Sequence, residues 1–466
     1  MTSLTRSLLA QAVEALRLPA SALDRITVEG EGELPSAFAV TDFAAASIGA
    51  AAAALRHVSD GFHDATPELR IDRRLASLWF DRSVSPLGWA LQPAWDPIAG
   101  DYAAADGWIR LHTNAPHHRR AALDVLQCAS DRPAVAAAVK GWSAQALESA
   151  VVAGGGAAAM MRDTASWRAH PQGRAVATEP LIDWRAEESG TSASSSGLWR
   201  PQGDRPLAGL KVLDLTRVIA GPVATRYLAG YGAEVLRIDP PGWDEDAILP
   251  ESTLGKSCAR LDLRRADDRA VFERLLSKAD ILVHGYRPGA LDALDYPEDV
   301  RARLRPGLIE VVLDAYGWTG PWHARRGFDS LMQMSTGIAH RGMSWKGAAH
   351  PVPLPVQALD HATGYLMAAA ALRALAWREA GAGPRVARLS LARTAFFLLD
   401  SASEEGATGV SIEAVPGDYA ATTEQTAWGP VRRLANAASI AGVAQHWTKP
   451  AGRLGSTQAR WAEPRE

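Results

Sequence analysis

Two stretches of the chain share one pattern of apolar and polar positions. In "PVPLPVQALDHATGYLMAAAALRAL" (351–375) an extended apolar segment hands over to an Ala- and Leu-rich helix, with one acid, Asp360, at the junction. In "LPSAFAVTDFAAASIGAAAAAL" (34–55) Asp42 stands in the same place. The repeat runs on: a turn, a short strand and a second helix follow each time, as "PELRID" and "RRLASLWF" in the first copy and "RVARLSL" and "ARTAFFLLD" in the second. Ahead of the second copy the pattern alternates between strand and helix. "LKVLDLT" (210–216) predicts a buried strand, "AGPVATRYLAGYG" (220–232) a helix closed by Gly232, and "AEVLRID" (233–239) the next strand. "CARLDLR", a helix over 267–278, "ADILVHGYRPGALDAL" and a strand in "GLIEVVLDAYG" (307–317) continue the series. Such alternation implies a parallel, doubly wound sheet.

The first copy leads elsewhere. A hairpin over 100–118 turns at Asp106-Gly107, and short helices over 119–128, 132–139 and 143–153 follow it. This reads as an α+β module without a second copy of the 206–317 pattern. The Ser- and Gly-rich stretch 186–206 predicts a linker. The expected organisation is an N-terminal unit over 1–185, the linker, a Rossmann-like domain over 207–400 and a return segment over 401–466. The fold class is α/β, a Rossmann-like doubly wound parallel sheet plus a smaller α+β domain.

At 466 residues the chain is long for one core. Its 47% hydrophobic and 22% charged residues fit a soluble globular protein, and a net charge of −3 gives no reason to expect a nucleic-acid or membrane partner. The N-terminal stretch is broken by Arg6, Glu14 and Arg17, unlike a signal peptide. Two cysteines, Cys128 and Cys258, without a CxxC, exclude a disulfide scaffold and fit a reducing cytoplasm. His117-His118 and His57/His63 lack the i, i+4 spacing of a helical metal site, so no metal is expected.

The chemistry rests on the two acids. An Asp where a helix begins is an ordinary N-cap. A helix N-terminus also favours the anionic form of a carboxylate placed there. His361 either tunes Asp360 or faces solvent. The loop "TRVIAGPVA" has no GxGxxG, so it is either a plain strand–helix turn or a site for something other than a dinucleotide.

Four segments, "PLAGLKVLDLTRVIAGPVATRYLAGYGAEVLRID", "ADILVHGYRPGALDAL", "YGWTGPWHARRGFDSLMQMSTGIA" and "ALDHATGYLMAAAALRAL", resemble the family III CoA-transferases, whose relatives include alpha-methylacyl-CoA racemase. "DYAAADGWIRLHTNAPHH" and "GWSAQALESAVVAGGGAAAMMRDTASWRAHPQ" are similar to that family's small domain. The order implies a chain that fuses two partial protomers of a family built as interlocked dimers, its two Asp motifs at the two sites of a pseudo-dimer. The resemblance implies an acyl-CoA:carboxylate CoA-transferase with Asp360 as nucleophile, Asp42 as nucleophile or relic, and acyl-CoA and a carboxylic acid as small-molecule partners. It places CoA against Arg217, Val218, Ile219, Ala220, Gly221, Leu261 and Arg287, and it implies a homodimer or a pairing with a related chain. Pro240 and Pro241 stand where family members carry a basic residue for the CoA phosphates, and Gly285 and Ala293 replace an Asn and an Arg. Arg287 and Arg237 either compensate or are solvated surface charges. Phe328 replaces the histidine of the racemases, and Asp329 is expected to be a structural carboxylate beside the site. The alternatives are a racemase or epimerase, and a silent CoA-binding subunit that pairs with an active family member.

Overall fold

The computed structural model describes residues 1–59, 66–185, 199–201, 203–401 and 406–463. Most of the expected linker 186–206, and His63, lie outside the described residues.

Seven strands form the main sheet: β1 (Asp183–Arg185), β2 (Lys211–Leu215), β3 (Glu234–Asp239), β4 (Lys256–Arg260), β5 (Ile281–His284), β6 (Ile309–Asp314) and β7 (Val386–Ser390). Their order is β4-β3-β2-β5-β6-β7-β1, parallel throughout except for β1 at the edge. β5 and β6 are buried at almost every position, so both faces are covered and their sequences read as apolar runs. Strand order reverses between β2 and β5, which opens a crevice at the carboxyl ends of these two strands.

The N-terminal half holds more of a second unit than its sequence pattern suggests. Ile26–Glu29 pairs in parallel with Leu69–Asp72, and Ala438–Ile440 adds on the far side in antiparallel. This three-stranded sheet repeats β6, β7 and β1, and the strand over 26–29 was not foreseen. A hairpin, Gly100–Ala103 with Trp108–Leu111, and the strand Ala158–Met160 make the small domain.

The expected boundaries do not separate these pieces. β1, from the N-terminal unit, completes the main sheet, and the return segment sends Gly429–Leu434 back to pair with Val84–Pro86. The termini are threaded into each other's sheets, because each partial unit alone would leave a sheet edge and an apolar face uncovered.

Helices Val40–Ser59 and Ala358–Glu379 pack together at the centre, buried over nearly their whole surface. The alanine runs explain this. Small side chains on all faces let helices approach closely without clefts. Helix Ala220–Gly230 crosses Ala358–Glu379 more tightly still: a Cβ on Gly364 would sit 2.4 Å from the carbonyl oxygen of Ala220. Gly364→Ala should therefore destabilise the protein by about 1–2 kcal/mol, since overpacking against backbone exceeds the gain in helix propensity. Denaturant unfolding would check this, and a stability at or above wild type would show that the crossing can widen. Among the described residues no helix is long and apolar enough to cross a membrane.

Candidate active site

Two cavities open at the carboxyl end of the main sheet. The smaller, about 400 Å³, lies at the β2/β5 crevice and is lined by Arg217, Arg287, Arg325 and Arg326. The larger, about 790 Å³, has walls from both halves of the chain, with Phe80, Trp95 and His112 from the first and Ile219, Val223 and Ile248 from the second. They meet at Asp360, Val218, Trp243, Phe328 and His117, which line both.

Asp360 is not an N-cap. The helix Ala358–Glu379 is capped at Gln357, and Asp360 is its third residue. Its backbone N–H donates to Asp329 Oδ2 at 2.9 Å, while its carboxyl has no hydrogen-bond partner among the described residues. Asp329 also accepts from the Gln333 side chain, whose own carbonyl holds the Leu354 N–H at 2.7 Å. Asp329 is thus the structural carboxylate expected, and it fixes the start of the Asp360 helix. Burial, and secondly the charge of Asp329, push Asp360 well above the usual carboxylate range. Burial raises Asp329 to about 6. Against the expectation that the helix terminus favours the ionised form, desolvation pushes Asp360 toward holding its proton.

His361 neither faces solvent nor supplies a charge. It is buried with its ring stacked on Phe80 at 5.3 Å, and burial lowers it to about 3. Phe328 stacks face to face on His112 at 3.7 Å.

The loop after β2 is held from beneath. Asp214 accepts from the backbone and hydroxyl of Thr216, from Thr225 and from the buried Lys256. Val218 has φ +64°, a conformation rare for a β-branched residue, and its N–H donates to Glu245 at 2.9 Å. Glu245 is paired in turn with Arg237 at 2.9 Å.

Of the residues expected to bind CoA, Arg217, Val218, Ala220 and Arg287 line the smaller cavity and Val218 and Ile219 the larger. Arg217 lies over the Trp243 ring at 4.5 Å. Gly221 lines neither cavity, and a Cβ there would meet the Thr216 side chain at 2.2 Å, so its smallness serves loop packing. Leu261 packs in a secondary core with Leu213 and Phe272, away from both cavities. Arg237 is neither a solvated charge nor free for phosphate: its side chain is 0% exposed and neutralised by Asp239 and Glu245.

The gathering of His112, His118, Arg326 and Trp243 around the site was missed as a group. The only sequence signals were the polar end of the small-domain hairpin, "LHTNAPHH", and the paired arginines before Phe328. Among the described residues no group of three or more His, Cys, Asp or Glu is placed to hold a metal.

Asp42 is also the third residue of its helix, but its surroundings differ. Thr2 and Thr5 donate hydroxyls to its Oδ1, and Arg73 lies 3.7 Å from Oδ2. It lines neither cavity.

Residues 207–428 match the family model for CoA-transferase family III. An acyl-CoA transferase of Fusarium pseudograminearum is 31% identical over 244 residues, covering 47% of this chain and 52% of that protein. The acetyl-coenzyme A transferase nodX of Hypoxylon pulicicidum is 39% identical over 189 residues, 39% of this chain and 32% of that one. A crystal structure of Rv3272 from M. tuberculosis aligns with a TM-score of 0.39 at 29% identity, over 43% of this chain and 59% of that chain. The chain spans about half or less of the length of these curated relatives. The matched residues 207–428 hold β2 to β7 and Asp360.

Proposed function

We propose that this protein is an acyl-CoA:carboxylate CoA-transferase in which Asp360 is the nucleophile. One observation carries the reading: an unbonded carboxyl stands where an arginine-lined cavity meets a larger, mostly apolar one. The smaller cavity would take coenzyme A, and the larger one the acyl group and then the acceptor acid. Both halves of the chain contribute walls to the larger cavity. The free thiols Cys128 and Cys258 fit action in the cytoplasm.

The Asp360 carboxylate attacks the thioester carbonyl carbon, the C–S bond breaks, and CoA leaves as thiolate from a mixed anhydride. The thiolate attacks the aspartyl carbonyl, which expels the donor acid as carboxylate and leaves an aspartyl-CoA thioester. An acceptor carboxylate displaces the thiolate to form a second anhydride. Attack of the thiolate on the acceptor's acyl carbon then releases the new acyl-CoA and the Asp360 carboxylate. The racemase alternative wants a basic histidine near Phe328, yet burial lowers His112 and His118 to about 3, which makes them poor proton acceptors at neutral pH.

Attack needs the ionised form of Asp360, whose affinity for its proton is raised. The rate should therefore be low at acid pH and rise as pH passes through the Asp360 titration. Asp329→Asn keeps an oxygen for the Asp360 N–H and removes the like charge, so the acid limb of kcat/KM should move down by about one pH unit. A limb that stays put or moves up would mean that Asp329 does not set the ionisation of Asp360. The reading as a whole is tested by intact mass after mixing with a panel of acyl-CoAs, where a covalent CoA adduct is expected.

A further inference from the structure

The smaller cavity holds a group that packing leaves unexplained. His118 is 3% exposed, and neither ring nitrogen has a hydrogen-bond partner among the described residues. A buried polar group without partners is costly, so such a group commonly awaits a ligand. His118 lies in the first turn of the helix Pro116–Leu126, whose N-cap, Ala115, offers no side-chain cap.

The cavity is also unbalanced in charge. Arg217, Arg287 and Arg326 line it, and none of the three pairs with a carboxylate among the described residues: Arg217 rests on Trp243 and Tyr286, and Arg326 donates to the Gly155 carbonyl. Of the cavity's two carboxyls, burial raises Asp314 to about 8 and pushes Asp360 in the same direction, which weakens both as counter-charges. Burial and the neighbouring charge of Arg287 both weaken the hold of Arg326 on its proton. Three guanidinium groups without carboxylate partners and an unpartnered imidazole suit one kind of occupant, a multiply charged oxyanion.

We infer that this cavity is a phosphate site in which His118, from the N-terminal half, binds a phosphate of coenzyme A together with Arg217, Arg287 and Arg326. The inference rests on the CoA-transferase reading for the identity of the ligand, though not for its chemistry. It assigns the phosphate contact to the small domain, in a chain where prolines occupy 240 and 241 after β3. His118 is a binding residue here, separate from the reacting carboxyl.

Calorimetry with CoA, dephospho-CoA, pantetheine and inorganic pyrophosphate tests it on wild type, His118→Phe and His118→Gln, with thermal melts to confirm folding. His118→Phe should weaken CoA binding about tenfold, as expected for one lost hydrogen bond to an anion. His118→Gln, which keeps a donor, should recover most of that, and pantetheine should bind all three alike. Equal loss with dephospho-CoA would place the diphosphate at His118, whereas loss with CoA alone would place the 3′-phosphate there. In the wild type, the His118 imidazole resonance should shift when CoA or pyrophosphate is added. Unchanged CoA binding by His118→Phe, or equal losses with pantetheine, would overturn the inference and leave His118 as packing against Phe328. Pyrophosphate separates the two claims. Binding that depends on His118, without any acyl-CoA adduct, would keep the phosphate site and sink the transferase reading. Binding of neither CoA nor pyrophosphate by wild type would sink the phosphate site.

Discussion

Asp360→Asn should abolish the covalent CoA adduct and lower CoA transfer by on the order of 10⁴-fold or more, the scale on which enzymes lose turnover with their nucleophile. The amide keeps the shape of the side chain and cannot attack a thioester. The substitution should also leave the fold intact. Burial raises Asp360 well above the usual carboxylate range, so the fold does not rely on a charge there that Asn would remove. A loss of chemistry without a loss of stability is the expected signature. Asp42→Asn should retain both the adduct and turnover, and titration should saturate at one CoA per chain. The reason is that Asp42 is enclosed by Thr2, Thr5 and Arg73 and reaches neither cavity. An adduct lost only in Asp42→Asn, or two CoA per chain, would return the chemistry to the first copy. Intact mass on the three proteins decides between these outcomes.

Arg237→Ala should cost about 3–5 kcal/mol of stability, a large share of what a folded domain has to spare. The guanidinium is fully buried and holds Asp239 through two bonds, at 2.8 and 2.9 Å, and Glu245 through a third at 2.9 Å. Its removal leaves two buried carboxylates without a counter-charge, which is far more costly than breaking a surface pair. A second effect should follow from the chain of contacts. Glu245 accepts the N–H of Val218, whose left-handed conformation is worth about 1–3 kcal/mol of local strain and persists only while its surroundings enforce it. Arg237 is thus a positioning residue for a loop shared by both cavities. Denaturant unfolding measures the first effect and CoA affinity of the folded fraction the second. Wild-type stability would show that Asp239 and Glu245 take up protons or water at little cost, and unchanged affinity would detach Val218 from the ligand.

Much of this protein is determined by its sequence alone. The alternation of strands and helices from 210 to 317, the hairpin turning at Asp106-Gly107 and the doubled Asp–helix–strand–helix pattern are local. Periodicity and turn residues dictate them before any long-range contact forms. The four family-like segments and the place of Asp360 were legible for the same reason, as they lie in sequence order around one sheet. The short strand Ile26–Glu29 was not legible, because four residues with an exposed face carry little periodic signal.

Tertiary structure decided what surrounds each acid. Asp42 and Asp360 occupy the third position of equivalent helices, yet one is sealed by an N-terminal helix and Arg73 while the other opens on two cavities. No local pattern separates them, since the difference comes from residues tens to hundreds of positions away. Tertiary structure likewise buried Arg237, stacked His112 on Phe328 and brought His118 to the arginines of the second half. The raised proton affinity of Asp360 arises there too, because desolvation depends on how completely the fold removes water from a carboxyl, whatever helix it starts.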